Sequence, residues 1–210
     1  MIHLTKQQIQ SKPRIERLNL INSITGIKPA NLIGTKSPEG EPNLAIFSSV
    51  VHLGSDPAII GFNVRPTGEV RRHTLENILS TGWYTINHVH RSFMEKAHYT
   101  SVKFEQGVSE FEKCGLGEEY LAGFQAPFVR ESKLKMAMKF CEQHPISIND
   151  TCLIIGEVQY LVLPENSMDP EGHLDLSVIE TVGISGLNSY YHLKKLAQFP
   201  YARENELPNI

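Results

Sequence analysis

Two arginines and a histidine stand at the predicted start of a helix, in the segment VRRHTLENI (residues 70–78). The first amides of a helix lack backbone partners and carry a partial positive charge, so acidic side chains are the usual neighbours there. Arg71, Arg72 and His73 instead bring donors to this end, next to Thr74, whose hydroxyl is suited to an N-cap. The pattern indicates a bound anion such as a phosphate monoester. The alternative is a plain N-cap, with the arginines paired to nearby glutamates on the surface.

Two consecutive serines interrupt the apolar run NLAIFSSVV (residues 43–51). Successive side chains of a strand point to opposite faces, so we expect one of Ser48 and Ser49 to face the core. A buried hydroxyl needs a hydrogen-bond partner, and the polar edge of a ligand is one candidate. The other candidate is the backbone at a bulge, which would leave both serines without a ligand.

Composition limits the classes of protein to which the chain can belong. Its 210 residues contain 20 Lys and Arg against 23 Asp and Glu, which gives a net charge of −3. Electrostatics therefore supply no general attraction to nucleic acid, and any anion site must be local. No apolar run is long enough to span a membrane, and the start MIHLTKQQIQ lacks the apolar core of a signal peptide. We expect a cytoplasmic protein without nucleic-acid or membrane partners.

Hydrophobic periodicity predicts six strands and one short helix between them. The helix carries its apolar residues on one face and ends at Gly82, where a left-handed cap is favoured. Regular alternation of strands and helices is missing, which favours a closed antiparallel barrel over a doubly wound sheet. We expect one domain over residues 1–210, with the barrel in roughly 25–165 and a C-terminal extension in 166–210. The predicted strands cover residues 31–35, 43–51, 58–64, 83–89, 134–141 and 152–163.

Three stretches follow one another along the chain: KPANLIGTKSPEGEPNLAIFSSVVHLGSDPAIIGFNV, RRHTLENILSTGWYTINHV and IIGEVQYLVL. In this order they resemble the flavin reductase-like family, in particular a branch with motifs of the N-x-x-P-F-S and K-D-T-L-x-N-I type. The resemblance covers roughly residues 25–165. It implies a mainly β protein built on the FMN-binding split barrel, which is a six-stranded antiparallel split β-barrel with a few peripheral helices and a C-terminal extension.

The resemblance also implies which residues bind the cofactor. Ser48, Ser49 and the amide of Val50 match the stretch that holds the flavin ring edge and the ribityl-phosphate arm, and Asn43 matches an Asn at the start of that strand. Arg72 and Thr74 match the Lys and Thr with which the family binds the phosphate. The resemblance therefore implies that the anion at the helix start is the FMN phosphate. The full implied set is Lys28, Asn43, Ser48, Ser49, Val50, Arg72 and Thr74.

Two features depart from the family's pattern. Reductases that feed two-component monooxygenases carry Gly-Asp-His before I-G-E-V, with the His near the nicotinamide, whereas this chain has Asn149, Asp150 and Thr151. The second feature is a long tail, GLNSYYHLKKLAQFPYAREN (residues 186–205). Its Tyr190, Tyr191 and His192 either cover the flavin face or pack against a partner subunit. The missing His bears on nicotinamide use, and the tail has no assigned role.

Flavin chemistry resides in the isoalloxazine ring, so the resemblance implies a binding site and no catalytic side chain. It implies an FMN flavoprotein oxidoreductase, with FMN preferred to FAD, that acts as an NAD(P)H-dependent flavin reductase and forms a homodimer. An FMN-bound electron carrier that exchanges electrons with a protein partner is one alternative. A flavin-binding sensor without catalysis is the other.

The spacing of His88 and His90, with His98 nearby, brings a metal site to mind. The sequence places no obvious carboxylate or thiolate with them. We therefore interpret the three as ordinary surface or interface histidines and expect no metal.

Overall fold

Strands dominate the computed structural model, which describes residues 1–66, 72–104 and 107–203. Arg71 of the predicted anion site and residues 204–205 of the tail lie outside these ranges. The strands are β1 (Lys28–Pro29), β2 (Asn31–Lys36), β3 (Pro42–Phe47), β4 (Val51–Ser55), β5 (Ala58–Val64), β6 (Trp83–His88), β7 (Glu118–Glu119), β8 (Phe128–Val129), β9 (Lys135–Ile146), β10 (Thr151–Val162), β11 (Val182–Ser185) and β12 (Ser189–His192). The α-helices are α1 (Lys6–Gln10), α2 (Arg14–Ser23), α3 (His73–Thr81), α4 (Met94–Tyr99), α5 (Glu110–Cys114) and α6 (Leu176–Ile179).

The main sheet has seven antiparallel strands in the order β3-β2-β6-β9-β10-β5-β4. All six predicted strands are present in it, and the mainly β prediction is confirmed. The seventh strand, β4, was missed because NLAIFSSVV was interpreted as one strand. The chain leaves β3 after Phe47 and enters β4 only at Val51, so Ser48 and Ser49 lie in the connection and not on a strand.

Both faces of the sheet are covered where β2 lies. Leu32 packs in a cluster with α4, α5 and the C-terminal segment, while Ile33 packs in a second cluster with Phe62 and Tyr84. Five of the six residues of β2 are buried, so this strand does not alternate between buried and exposed positions. The second cluster, which includes Met136 and Met138, fills the space between the sheet and α3.

Gly34 on β2 permits a close approach of the segment before β8. A Cβ at this position would meet the backbone oxygen of Pro127 well inside van der Waals distance and Thr85 Oγ1 at 2.6 Å. Thr85 Oγ1 donates to that same oxygen, so the neighbour is held in place.

We expect Gly34→Ala to lower the free energy of unfolding by about 1–3 kcal/mol, because a backbone carbonyl cannot move aside as a flexible side chain can. Urea denaturation measures the change. Gly54→Ala on the exposed strand β4 is the matched control, since its added Cβ would meet the side chain of Ile59 at 3.1 Å. Equal losses in the two variants would contradict the explanation.

The helix start in VRRHTLENI differs in detail from the prediction. The N-cap of α3 is Arg72, without a side-chain capping bond, and Thr74 lies inside the first turn. The prediction that Thr74 is the N-cap of this helix was therefore wrong. The predicted end is correct: Gly82 takes the left-handed conformation with φ of 76° and its amide bonds to Ile78 O.

The C-terminal extension joins the rest of the chain through a second sheet, in the order β1-β11-β12. Glu180 anchors the extension just before β11. Its carboxylate forms a hydrogen bond with His90 Nε2 at 3.1 Å and ion pairs with Arg91 and Lys133. His90 is only 7% exposed, so its interpretation as a surface histidine was wrong. No helix in the described ranges is long and apolar enough to cross a membrane.

Candidate functional site

A cavity of about 900 Å³ opens where β3, β5 and α3 meet the α4–α5 region and the C-terminal segment. Its volume lies at the upper end of the range usual for ligand sites, which is roughly 300–1,000 Å³. Five of the seven sequence-predicted residues line it, although they come from two separate stretches of the chain, 43–49 and 72–74. These are Asn43, Ser48, Ser49, Arg72 and Thr74.

A buried cluster of two threonines and two asparagines, the Thr–Asn cluster, forms part of this wall. Asn43 Nδ2 donates to Thr35 Oγ1 at 3.3 Å and to Thr74 Oγ1 at 3.1 Å. Asn77 Nδ2 donates to the same Thr35 oxygen at 3.1 Å. Because Thr74 accepts from Asn43, its own hydroxyl hydrogen is left to donate elsewhere. The predicted direct contact from Asn43 to a ligand is thus restricted to its side-chain oxygen.

Arg72 stands beside Thr74 at the same helix end. Its Nε donates to Pro66 O at 3.2 Å, which anchors the side chain, and no hydrogen bond to another described residue engages the two terminal nitrogens of the guanidinium. The first-turn amides of α3 add partial positive charge at this position. Together these groups offer an anion the charge-assisted donors that bind phosphate most strongly.

The two serines occupy the connection between β3 and β4 and differ in their engagement. Ser49 Oγ donates to Asn63 O and accepts from Asn63 N, both at 3.1 Å, so this hydroxyl links the connection to β5. This is the hydrogen bonding to the backbone that the sequence offered as the alternative to a ligand contact. Ser48 lines the cavity beside it. Residues 48–50 have an irregular backbone conformation outside the strands β3 and β4.

Two sequence-predicted residues stand apart from the described cavity wall. Lys28 on β1 donates from Nζ to Asn22 O at 2.6 Å, which ties the end of α2 to the second sheet. Val50 packs its side chain against the apolar cluster of Phe62 and Tyr84. Its predicted contribution is a backbone amide, and Lys28 would have to reach a ligand by leaving Asn22.

Glu110 is a cavity residue that sequence reasoning missed. Its Oε2 accepts from the amide of Leu44 at 3.0 Å, although the two residues are 66 positions apart. Burial raises the pKa of Glu110, while the backbone bonds and nearby His73 oppose this rise. A carboxyl that is buried next to an anion site is favoured in its protonated form, in which it does not repel an anion.

We expect the contribution of Glu110 to the unfolding free energy of the ligand-free protein to fall as pH rises above 4.5, the ordinary value of this carboxyl. A raised pKa means that the folded state holds more protons than the unfolded state, so stability decreases with pH in that window. Glu110→Gln should remove this contribution, as urea denaturation from pH 4.5 to 7 measures. Glu112→Gln, exposed on the same helix, should keep it. Identical pH profiles for Glu110→Gln and the unaltered protein would refute the assignment.

The cavity is locally cationic although the chain is acidic. Among its described lining residues, Arg65, Arg72 and Lys103 bring three fixed positive charges against the single carboxyl of Glu110. Neither Arg65 nor Lys103 carried a sequence signal, because each is an isolated cation next to a strand end or a turn. The arrangement suits an anionic ligand.

Thr151, which the resemblance matches to a histidine near the nicotinamide, lies on the cavity wall. Thr151, the last residue of the Asn-Asp-Thr triplet, opens β10 and lines the cavity, and its hydroxyl donates to Asn149 Oδ1 at 2.8 Å.

The tail residue Tyr190 packs on its own chain, against the cluster that contains Leu32. Its hydroxyl lies 3.2 Å from Nδ1 of His98, which itself lines the cavity. His98, interpreted from the sequence as a surface or interface histidine, is half-buried.

Comparisons with known proteins agree with the fold. The model of the family described as flavin reductase like domain matches residues 27–177. A candidate flavin reductase with a split-barrel domain from Shewanella frigidimarina is 46% identical, with a TM-score of 0.93 over 96% of this chain and 100% of that one. Nitrilotriacetate monooxygenase component B from Bacillus cereus is 17% identical, with a TM-score of 0.82 over 95% of this chain and 98% of that one. Flavoredoxin of Desulfovibrio vulgaris is 20% identical, with a TM-score of 0.72 over 84% of this chain and 92% of that one. The split-barrel prediction is confirmed.

Proposed function

This chain belongs to the flavin reductase-like family, and from that membership we propose that its cavity binds FMN and that it reduces flavin with NAD(P)H. A flavin-binding oxidoreductase is the class that the family supports. The observation that carries the finer proposal is the helix end at α3. There Arg72 and a Thr74 hydroxyl oriented by Asn43 face one cavity of about 900 Å³.

The phosphate of FMN fits this helix end. Arg72 would hold it with its terminal nitrogens, Thr74 with its free hydroxyl hydrogen, and the first amides of α3 with theirs. Glu110, when protonated, would add a donor and not a repelling charge. Since this is one anion-binding cluster among the described lining residues, the single phosphate of FMN suits it better than the diphosphate of FAD.

The ring of the flavin would lie against the connection of Ser48, Ser49 and Val50. This connection offers backbone amides, which match the carbonyl and nitrogen acceptors on the ring's polar edge. Ser49 is fixed to Asn63, so it would position the connection and not itself rearrange. When bound, the flavin supplies the hydride and electron chemistry; the residues of this chain bind and orient it.

An electron carrier reduced by a protein partner is the second candidate, and one observation favours it. Thr151 occupies the wall where the family pattern has a histidine facing the nicotinamide. Threonine keeps a hydroxyl but cannot supply an imidazole. A slow or absent reaction with NAD(P)H, together with tight FMN binding, is what this candidate predicts.

The visible absorption spectrum of the purified protein, taken anaerobically with FMN before and after NADPH and then NADH, tests these proposals. Bleaching of a bound two-band flavin spectrum supports the reductase. A flavin spectrum that persists with both nucleotides supports the carrier or a sensor, which reduction by a partner extract then separates. Failure to bind FMN contradicts all three.

We propose further that the protein is a homodimer. Strand β4 is an edge strand that leaves Val51 47% and Leu53 40% exposed, and a second copy could cover them. Sedimentation velocity measures the mass. A monomer at micromolar concentration would contradict this proposal, and Leu53→Lys should shift a dimer towards monomer.

A further inference from the structure

His98 and Tyr190 form a hydrogen-bonded pair on the wall that α4 and the C-terminal segment build. His98 Nδ1 lies 3.2 Å from the Tyr190 hydroxyl, and the two rings meet edge to face with centroids 5.9 Å apart. The residues are 92 positions apart in sequence. His98 lines the cavity, whereas Tyr190 lies behind it against the apolar cluster that contains Leu32.

Tyr190 keeps its hydroxyl hydrogen at neutral pH and can therefore be the donor of this hydrogen bond. Burial raises the pKa of Tyr190 to about 12, so the side chain remains a phenol at neutral pH. A protonated phenol can donate to an imidazole nitrogen, and we infer that the hydroxyl donates to Nδ1 in this pair. In the neutral ring the hydrogen then resides on the other nitrogen, Nε2.

Nε2 of His98 is consequently the nitrogen left for a ligand. Within the described part of the chain no hydrogen bond engages it. The C-terminal segment brings Ile184, Leu187 and Asn188 to the same cavity lining, and the residues that follow α4 bring Thr100, Ser101 and Lys103. An imidazole N–H on this wall can donate to a carbonyl oxygen of a ligand, whereas a phosphate finds its donors at the helix end at α3.

We propose that His98 donates from Nε2 to an amide-type carbonyl oxygen of a cavity ligand, and that Tyr190 is the positioning residue that holds the ring for this contact. The inference rests on the proposed function, because two ligands of that function carry such a carbonyl. One is the pyrimidine part of the flavin ring, and the other is the carboxamide of the nicotinamide. The C-terminal extension thereby contributes to the site through Tyr190, which holds His98 from outside the cavity lining, as well as through the lining residues Ile184, Leu187 and Asn188.

Nitrogen-15 NMR of the imidazole rings tests the first half of the inference on the full-length protein. The chain has nine histidines, so the His98 resonances are assigned as those missing from His98→Gln. We expect the Nε2–H tautomer for His98 in the unaltered protein and a mixture of tautomers in Tyr190→Phe. A dominant Nδ1–H tautomer in the unaltered protein would overturn the inference.

Addition of FMN, followed by NAD⁺ or NADP⁺, identifies the ligand without any turnover. A shift of the His98 Nε2 resonance on FMN addition assigns the carbonyl to the flavin. A shift only when the oxidised nucleotide is added assigns it to the nicotinamide. No shift in either step, while the visible spectrum reports bound FMN, overturns the inference and leaves the proposed function intact. Absence of FMN binding rejects both, and the spectrum distinguishes this case.

Binding measurements on matched variants give a second readout. Tyr190→Phe keeps the packing and removes only the hydroxyl, and we expect it to weaken the assigned ligand roughly 2- to 10-fold, as the loss of one neutral hydrogen bond does. The controls are Tyr191→Phe and His192→Gln, whose residues are exposed on the same strand. If these controls change the affinity as much as Tyr190→Phe and His98→Gln do, the effect is not specific to the pair and the inference fails.

Discussion

The Arg72→Ala, Thr74→Ala double variant is expected to bind FMN about 3 kcal/mol more weakly than the unaltered protein, which is roughly a 100-fold increase in Kd. Each substitution removes a charge-assisted donor, and such bonds contribute about 1.5–3 kcal/mol each. The two effects do not add fully, because both groups contact one phosphate. Quenching of flavin fluorescence measures the Kd.

Riboflavin, which lacks the phosphate, separates this explanation from general damage to the site. Its affinity should be nearly the same for the double variant and the unaltered protein. Thr74→Ser keeps the hydroxyl that Asn43 orients and should retain most of the FMN affinity, while Arg14→Ala, exposed on α2, should have no effect. Equal weakening of FMN and riboflavin would place the phosphate elsewhere.

Acid is expected to destabilise the protein through His88 by up to roughly 3 kcal/mol. Burial lowers the pKa of His88 from 6.5 to about 4, and no charged group in the described part of the chain offsets this shift. Between these two values the unfolded chain binds a proton that the folded chain does not. The free energy of unfolding therefore rises with pH through this window, and the stabilisation is lost as pH falls from 6.5 towards 4.

Urea denaturation from pH 4 to 7 on the unaltered protein and on His88→Gln measures this contribution as a difference in slope. His88→Gln should have a flatter profile whatever its absolute stability. The opposing slope of Glu110 is common to both proteins and cancels in the comparison. His3→Gln, exposed near the N-terminus, is the control that should keep the full slope. Parallel profiles for His88→Gln and the unaltered protein would mean that His88 titrates normally in the folded state.

Local signals in the sequence were sufficient where one element decides the structure. The β2–β3 hairpin follows from two β-prone segments around a Pro-Glu-Gly turn, and the end of α3 follows from the left-handed conformation that Gly82 adopts without strain. The boundary between β3 and β4 did not follow, because the apolar run continues through Ser48 and Ser49 while the chain changes direction. Only the pairing of Ser49 with Asn63 on β5 shows where the strand stops.

The sequence by itself determined the family, the strand content and the basic helix start, since motif spacing and periodicity are properties of neighbouring residues. Tertiary structure alone decided that Asn43 orients Thr74, that Glu110 bonds to Leu44 and that His98 meets Tyr190. These contacts join residues 31, 66 and 92 positions apart. No local pattern encodes them, because hydrogen-bond partners and burial, which set the donors and pKa values of the site, arise only when distant elements pack together.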